Sequence, residues 1–286
     1  MRSLPLLAAL AAALSFSAGS MAQTASAPAA TVELASSTVS PATATADASL
    51  VQHLPAEFDG IVTRRLDATP DVFETYGALA QEQLTQAKVA IDHDEFVVVA
   101  DRNPNVQAAF VFVMGPGGVH PIGATPVSTG RSGQKDHFYT PVGVFANTLE
   151  NPSFRAQGTK NSNGFRGYGR KGMRIWDFGW QTADKAWGTR EPREIRFQMH
   201  ATDPDLAEPK LGHPASQGCV RVSAGFNQFV DHYGVLDADY LEAEAQGQHL
   251  WVLPKDRVAT GLAGRYLVVV DSGATERPAW NVPVRK

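Results

Sequence analysis

The sequence predicts a mainly β domain, a sandwich or barrel-like sheet, with flanking helices. Three observations carry this. Short Val-rich runs recur from Glu95 onward, beginning with Phe96 to Ala100 and Ala108 to Met114. Turn clusters such as Asp101-Arg102-Asn103-Pro104 and Gly115-Pro116-Gly117-Gly118 punctuate them. Apolar residues at helical spacing are confined to two stretches, one before the strands and one among them.

The chain begins with Arg2, an apolar run from Leu6 to Leu14, and Ser20-Met21-Ala22. The run is far short of the ~20 residues a membrane-spanning helix needs, and small residues mark a cleavage site. A secretory signal peptide over 1–22 is expected, cut after Ala22, with no membrane span remaining. Its removal takes one positive charge, Arg2, from a net charge of −4, leaving 264 residues at −5. That is enough chain for one large domain. Near-neutral charge without a Lys/Arg run argues against nucleic acid as a partner. Export makes the cysteine count informative. Cys219 stands alone in the sequence, so no intramolecular disulfide forms, and the thiol is either an inert buried residue or a reactive one.

Residues 23–49 are Ala, Thr, Ser and Pro with almost no large apolar side chain, which predicts a disordered tether. A helical segment over 50–92 comes next. Thr69-Pro70 is a helix start, and Phe73, Tyr76, Ala80, Leu84 and Ala87 form one apolar stripe. The main domain is expected over 93–255. Beyond the first two strands, further candidates are Ile122 to Thr129, Val142 to Thr148, Ile195 to His200, Val220 to Ser223, His249 to Leu253 and Tyr266 to Val270. One helix interrupts them: Ser223 caps it, Phe226, Phe229, Val230 and Tyr233 line one face, and Gly234 ends it. Glu150 to Glu194 reads as a long loop containing Trp176, Trp180 and Trp187, a lid or substrate wall. Residues 256–286 form a C-terminal extension to which the sequence assigns no role.

The chemistry concentrates in His213 to Val222, His-Pro-Ala-Ser-Gln-Gly-Cys-Val-Arg-Val. A free thiol has a pKa of ~8.5 and needs an imidazole or backbone N–H groups to become a thiolate near neutrality. His200 ends an apolar run upstream and is the natural base. Gly218 lets backbone N–H groups turn toward a forming oxyanion, and Arg221 offers a charged fork for a carboxylate. Together they suggest acyl transfer through a thioester. His120, His137, His232 and His249 are scattered without metal-ligand spacing, so neither a metal nor another cofactor is expected.

His200, fifteen residues, then Ser216-Gln217-Gly218-Cys219-Val220-Arg221 resembles the signature of the YkuD-type L,D-transpeptidases. Ser128-Thr129-Gly130 and Thr140-Pro141-Val142-Gly143-Val144-Phe145 resemble the "STG…TPxGxF" block of the same domain, and the likeness spans roughly Glu95 to Pro254. The resemblance implies a β-sandwich-like catalytic domain in the periplasm. It implies attack on the diaminopimelate–D-Ala bond of a peptidoglycan stem, with Cys219 as nucleophile and His200 as base. The backbone of Gly218 and Cys219 would form the oxyanion hole, and Arg221, Ser216, Gln217 and Trp176 would bind substrate. The acyl group would pass to an amine on another stem or on an envelope protein. Two other readings stand beside this one: a cysteine hydrolase acting on the same stems, and a non-catalytic envelope binding protein. Gln217 departs from the family, which has His there, and Ala201 offers no hydroxyl to orient His200, so a backbone carbonyl has to do it. His213 is the alternative histidine near the sulfur.

Overall fold

A computed structural model describes residues 41–282. Two helices open it, α1 (Pro41–Ile61) and α2 (Pro70–Gln86). Then come β1 (Glu95–Asp101), β2 (Ala108–Gly115), β3 (Gly118–Pro126), β4 (Gly143–Ala146) and β5 (Phe154–Arg155). They are followed by β6 (Arg174–Asp184), β7 (Pro192–Ala201) and β8 (Val220–Val222), then α3 (Ala224–His232), α4 (Ala238–Ala245) and β9 (Tyr266–Val270). The strands form two mixed sheets, ordered β3-β2-β1-β9-β4 and β5-β6-β7-β8. The pairs β1–β9 and β7–β8 are parallel and the others antiparallel. The expected mainly β architecture with flanking helices is what the chain adopts.

The valine runs are explained by burial on two sides. Phe96, Val98 and Ala100 of β1 enter one core together with Trp176, Phe197, Met199, Val220 and Val222 of the second sheet. Val97 and Val99 enter another under α2, with Phe110, Phe112 and Val268. A strand covered on both faces reads as continuously apolar. Leu54, Phe58 and Val62, spaced by four, bury the α1 face against α3, where the Phe58 and Phe229 rings meet edge to face at 5.1 Å. Thr69 and Pro70 start α2 as expected. Its Tyr76 stacks on Phe110 at 4.0 Å, and the buried Tyr76 hydroxyl donates to Asp101 Oδ2 at 2.6 Å. Ser223 Oγ accepts the Phe226 N–H and caps α3.

Four expectations change. The leader over 1–22 and the tether as far as residue 40 lie outside the described residues, but α1 begins at Pro41, so the end of the predicted tether is helical. The long loop over 150–194 contains β6, eleven residues paired to β7. Its Arg, Asp and Gln hid the strand, because only one of its faces meets the core. His249 to Leu253 is a turn, and its Val252 carbonyl serves as an acceptor for Arg155 and Arg174. The region 256–286 is no appendage: β9 lies between β1 and β4.

Arg174 anchors β6 to the helical side. It is fully buried, 2.9 Å from the equally buried Asp237 and 3.5 Å from Asp231, with its guanidinium 5.0 Å from the Tyr240 ring. Burial pushes the Asp237 carboxyl up to about 6 although Arg174 pulls it down. Removing one partner leaves an uncompensated buried charge. Arg174→Ala is therefore expected to cost about 3–5 kcal/mol in urea unfolding. The pair Arg174→Met with Asp237→Leu should recover most of that. A single variant within 1 kcal/mol of wild type, on the order of a surface substitution, would show that the pair holds nothing.

Candidate active site

The site lies on the face of the second sheet that turns away from the core. Phe197 and Met199 of β7 and Val220 and Val222 of β8 point into the core. Alternation then puts Arg196, Gln198 and His200 on the opposite face, with Cys219 and Arg221 beside them. The parallel register sets Met199 against Val220 and His200 against Arg221, so the imidazole comes from β7 and the thiol from the loop residue just before its neighbour β8. The Cys219 sulfur sits on the β7 backbone, 4.0 Å from the Arg196 carbonyl.

Both upstream motif blocks converge here. Ser128 and Arg221 exchange backbone hydrogen bonds at 2.9 Å in both directions. The Thr129 carbonyl accepts the Ala215 and Ser216 N–H groups, and Arg131 N–H donates to the Ser216 carbonyl. Thr140 Oγ1 donates to the Gly218 carbonyl at 2.8 Å and accepts the Gly130 N–H at 3.0 Å. A Cβ on Gly130 would lie 1.9 Å from the Phe138 carbonyl oxygen, so only glycine lets these segments meet. Gly218 has φ 128°, which glycine adopts readily, and a Cβ there would strike Ile195 at 2.8 Å.

His200 is buried, and its Nδ1 bonds the Ala201 carbonyl at 2.7 Å. That bond requires Nδ1–H and leaves Nε2 as the basic nitrogen, the backbone orientation that the absence of a hydroxyl at Ala201 called for. Burial lowers the His200 pKa to about 4; the Ala201 bond opposes this and Arg221 adds to it. Burial likewise pushes the Cys219 thiol up to about 11. The Gln198 backbone and Arg221 pull it down, and Asp177 pushes it further up. The resting pair is thus a neutral imidazole and a neutral thiol. The sequence anticipated a thiolate; enclosure of the sulfur outweighs the donors around it.

The oxyanion expectation divides. The Gly218 N–H is already taken by Ser216 Oγ at 3.0 Å, and Ser216 Oγ donates to the Cys219 carbonyl at 2.6 Å. Ser216 is fully buried and shapes the loop; it is not a surface for substrate. Among the described residues the Cys219 N–H has no such partner, which leaves it as the donor available to an oxyanion. Arg221 is part-buried, bonds the Ala215 carbonyl through Nη1 at 2.9 Å, and makes no ion pair among the described residues; its Nε is buried without an acceptor. Gln217 is exposed. Trp176 is not a wall of the site. It is completely buried in the core because it alternates with Ile175 and Asp177, which share the His200 face. His213 is an exposed loop residue 3.4 Å from Arg277.

Three side chains escaped sequence reasoning. The Asp177 carboxylate accepts Arg196 Nε at 2.9 Å and Gln198 Nε2 at 2.9 Å. The Tyr168 hydroxyl donates to Gln198 Oε1 at 3.1 Å, and its ring packs edge-on against His200 at 4.6 Å. Gln198 was legible, since two residues before His200 on a strand is the same face. Asp177 was not, because β6 was read as loop, and Tyr168 was not, because it reaches His200 from a loop through a contact that only the tertiary fold makes. The loop over 157–169 and the strand residues Phe154 and Ile175 line an open cavity of about 560 Å³, and Tyr168, whose ring packs against His200, is one of its lining residues. Part of the expected lid thus lines a cavity. On the far side, Phe138 and Trp187 meet at 5.2 Å, and the exposed Trp180 lies 5.9 Å from Arg196. No group of His, Cys, Asp and Glu among the described residues could hold a metal ion, and none of the described helices is long and apolar enough to cross a membrane.

A half-buried thiol held neutral by its surroundings should label slowly. Iodoacetamide modification of Cys219 is expected to rise about tenfold per pH unit from pH 7 to 10. Asp177→Asn should speed it a few-fold at pH 8, on the order expected for one neighbouring charge. A plateau below pH 8 would overturn the assignment of a neutral thiol.

No family model and no curated protein matches the chain. Among solved structures it is similar to a fused Zn-dependent amidase/peptidase/peptidoglycan-binding domain protein from Clostridium acetobutylicum, at 10% identity and TM-score 0.29, over 72% of this chain and 64% of that one. It is similar to Bd1075 from Bdellovibrio bacteriovorus at 14% and 0.31, over 64% and 51%. It is also similar to the helical cell shape determining protein Pgp2 from Campylobacter jejuni at 13% and 0.28, over 72% and 57%. The chain thus spans between about half and two thirds of the length of these structures. Overlaps this loose assign neither a family nor an activity.

Proposed function

We propose that the chain is a periplasmic L,D-transpeptidase acting on peptidoglycan stem peptides, with Cys219 as nucleophile and His200 as general base. One observation carries the reading. The two sequence blocks that resemble that family, Ser128 to Gly130 and Thr140 to Phe145, meet the Ser216 to Arg221 loop through backbone and Thr140 hydrogen bonds, and His200 stands on the adjacent strand with its tautomer fixed.

The chemical steps start from the neutral pair. As the sulfur attacks the carbonyl carbon of the diaminopimelate–D-Ala bond, its proton passes to His200 Nε2. The C–S bond forms, and charge collects on the former carbonyl oxygen, toward which the Cys219 N–H can donate. A preorganised donor of this kind is worth about 3 kcal/mol. Collapse breaks the C–N bond, and the imidazolium returns its proton to the departing D-Ala amine. The thioester is then attacked by an amine from a second stem, which loses its proton to His200; the new C–N bond forms, the C–S bond breaks, and the imidazolium returns the proton to the departing Cys219 sulfur. Arg221 is the unpaired cation beside the sulfur, suited to the carboxylate that a C-terminal D-Ala presents.

The test is intact-protein mass spectrometry of the mature chain mixed with tetrapeptide stems, with the products analysed in parallel. An acyl adduct mapped to Cys219, free D-Ala and stem–stem dimers are expected. Shortened tripeptides without dimers would make water the acceptor and the protein a hydrolase. Cys219→Ala should remove adduct and turnover, by about 10³-fold or more, with the fold intact. Residual turnover would end the thioester mechanism. Because the His200 pKa is depressed to about 4, kcat/KM should hold level as pH falls from 7 to 5 and drop only as the imidazole takes up a proton below that.

A further inference from the structure

Gln107 lies in the turn before β2, outside every motif that carries the site. It is fully buried, with a left-handed backbone at φ 53°. Glutamine seldom adopts that conformation unless its surroundings hold it there. Its side-chain amide is bonded at both ends. Oε1 accepts the Thr129 N–H at 2.7 Å. Nε2 donates to Thr129 Oγ1 at 2.7 Å and to the Arg102 carbonyl at 2.8 Å, with the Asn103 carbonyl at 3.2 Å. Its own carbonyl accepts the Val127 N–H at 2.9 Å. Gln107 therefore grips the segment 127–129 at three atoms.

That segment carries the grip onward. The Thr129 carbonyl accepts the N–H groups of Ala215 at 3.0 Å and Ser216 at 2.9 Å. Ser216 Oγ accepts the Gly218 N–H and donates to the Cys219 carbonyl. Every step from Gln107 through Thr129 and Ser216 to Cys219 is a hydrogen bond between buried or part-buried groups.

We infer that Gln107 is a positioning residue for the nucleophile: its amide fixes Thr129 and, through Thr129, the loop that sets where the Cys219 sulfur lies. This rests on the reading of Cys219 as nucleophile. The residue type follows from the contacts. One planar group must accept on one side and donate twice on the other. Ionised Glu would set an oxygen against the Arg102 and Asn103 carbonyls, and Met would bond none. Asn tolerates a left-handed backbone but is one methylene short of Thr129.

The test uses the mature full chain with Gln107→Asn, Gln107→Met and Thr129→Val. Gln107→Asn keeps a residue suited to the backbone and removes the reach. Thr129→Val removes one accepting hydroxyl at nearly constant shape and covers the case in which the Gln107 variants fail to fold. Amide exchange is expected to quicken about tenfold or more at Ala215 and Ser216, while β1 and β2 amides keep their protection. Iodoacetamide labelling of Cys219 at pH 8 should rise about fivefold, and its pH profile should move to lower pH as the sulfur becomes less enclosed. With stems, kcat should fall and KM stay. Wild-type exchange and labelling in a folded Gln107→Asn or Thr129→Val would overturn the inference. Absence of stem turnover in the wild type would count against the proposed function alone, because exchange and labelling still read the Gln107 link.

Discussion

The structure turns on a crossing. The chain leaves the first sheet at Pro126 and runs to the edge of the second, where Ser128 pairs with Arg221 and Gly130 with Ser216. These few backbone hydrogen bonds join the two sheets at the point where Cys219 sits. β8 is only three residues long, paired to β7 on one side. Without the crossing segment its other edge would be open, and a short open edge strand frays. The close approach demands Gly130, and the loop's return past Phe138 and Ile195 demands Gly218. The motif glycines are therefore conditions of assembly before they are conditions of chemistry.

Enclosure has a chemical consequence. Taking the thiol and the imidazole out of water disfavours both charged forms, so one pKa moves up and the other down. An ion pair at rest is the state this arrangement opposes. In the proposed reaction, proton transfer from sulfur to Nε2 is then coupled to attack, and the charge that develops has to be met by groups already in place. Arg221 and the Cys219 N–H are such groups, whereas Asp177 works the other way on the thiol. Its carboxylate is held by Arg196 and Gln198, which fixes the face beside His200 at a cost to thiol acidity. The arrangement favours an unreactive resting sulfur.

The legible parts of the sequence were those in which one physical rule dominated. Val runs gave β1 and β2, the Thr69-Pro70 and Ser223 starts gave α2 and α3, and the short apolar runs ending at His200 and beginning at Val220 gave parts of β7 and β8. β6 was missed because its alternation serves two polar purposes at once. Arg174 and Asp177 are buried through partners far off in sequence, Asp237 and Arg196, which no local pattern reveals. Trp176 was misplaced by the same error, since a tryptophan in a supposed loop suggests a substrate wall and on a strand it is core. Tyr168 reaches His200 from a loop, and only the tertiary fold makes that contact.

The C-terminal segment ties the strands into one cooperative unit. β9 supplies the parallel partner of β1 and the antiparallel partner of β4, so the first sheet would fall into two pieces without it. The chain after β9 returns to the same crossing. Trp280 meets Tyr76 edge to face at 6.0 Å, and the Asn281 side chain donates to the Val106 carbonyl, next to Gln107. Arg277 donates to the Gly212 carbonyl at 2.6 Å, at the start of the loop that carries Cys219. The tail thus holds the turn before β2 and the entrance of the loop together from outside, while Gln107 and Thr129 hold them from within. A region that looked like an extension in sequence braces both ends of the path to the sulfur, because closing a non-local loop needs contacts at each end.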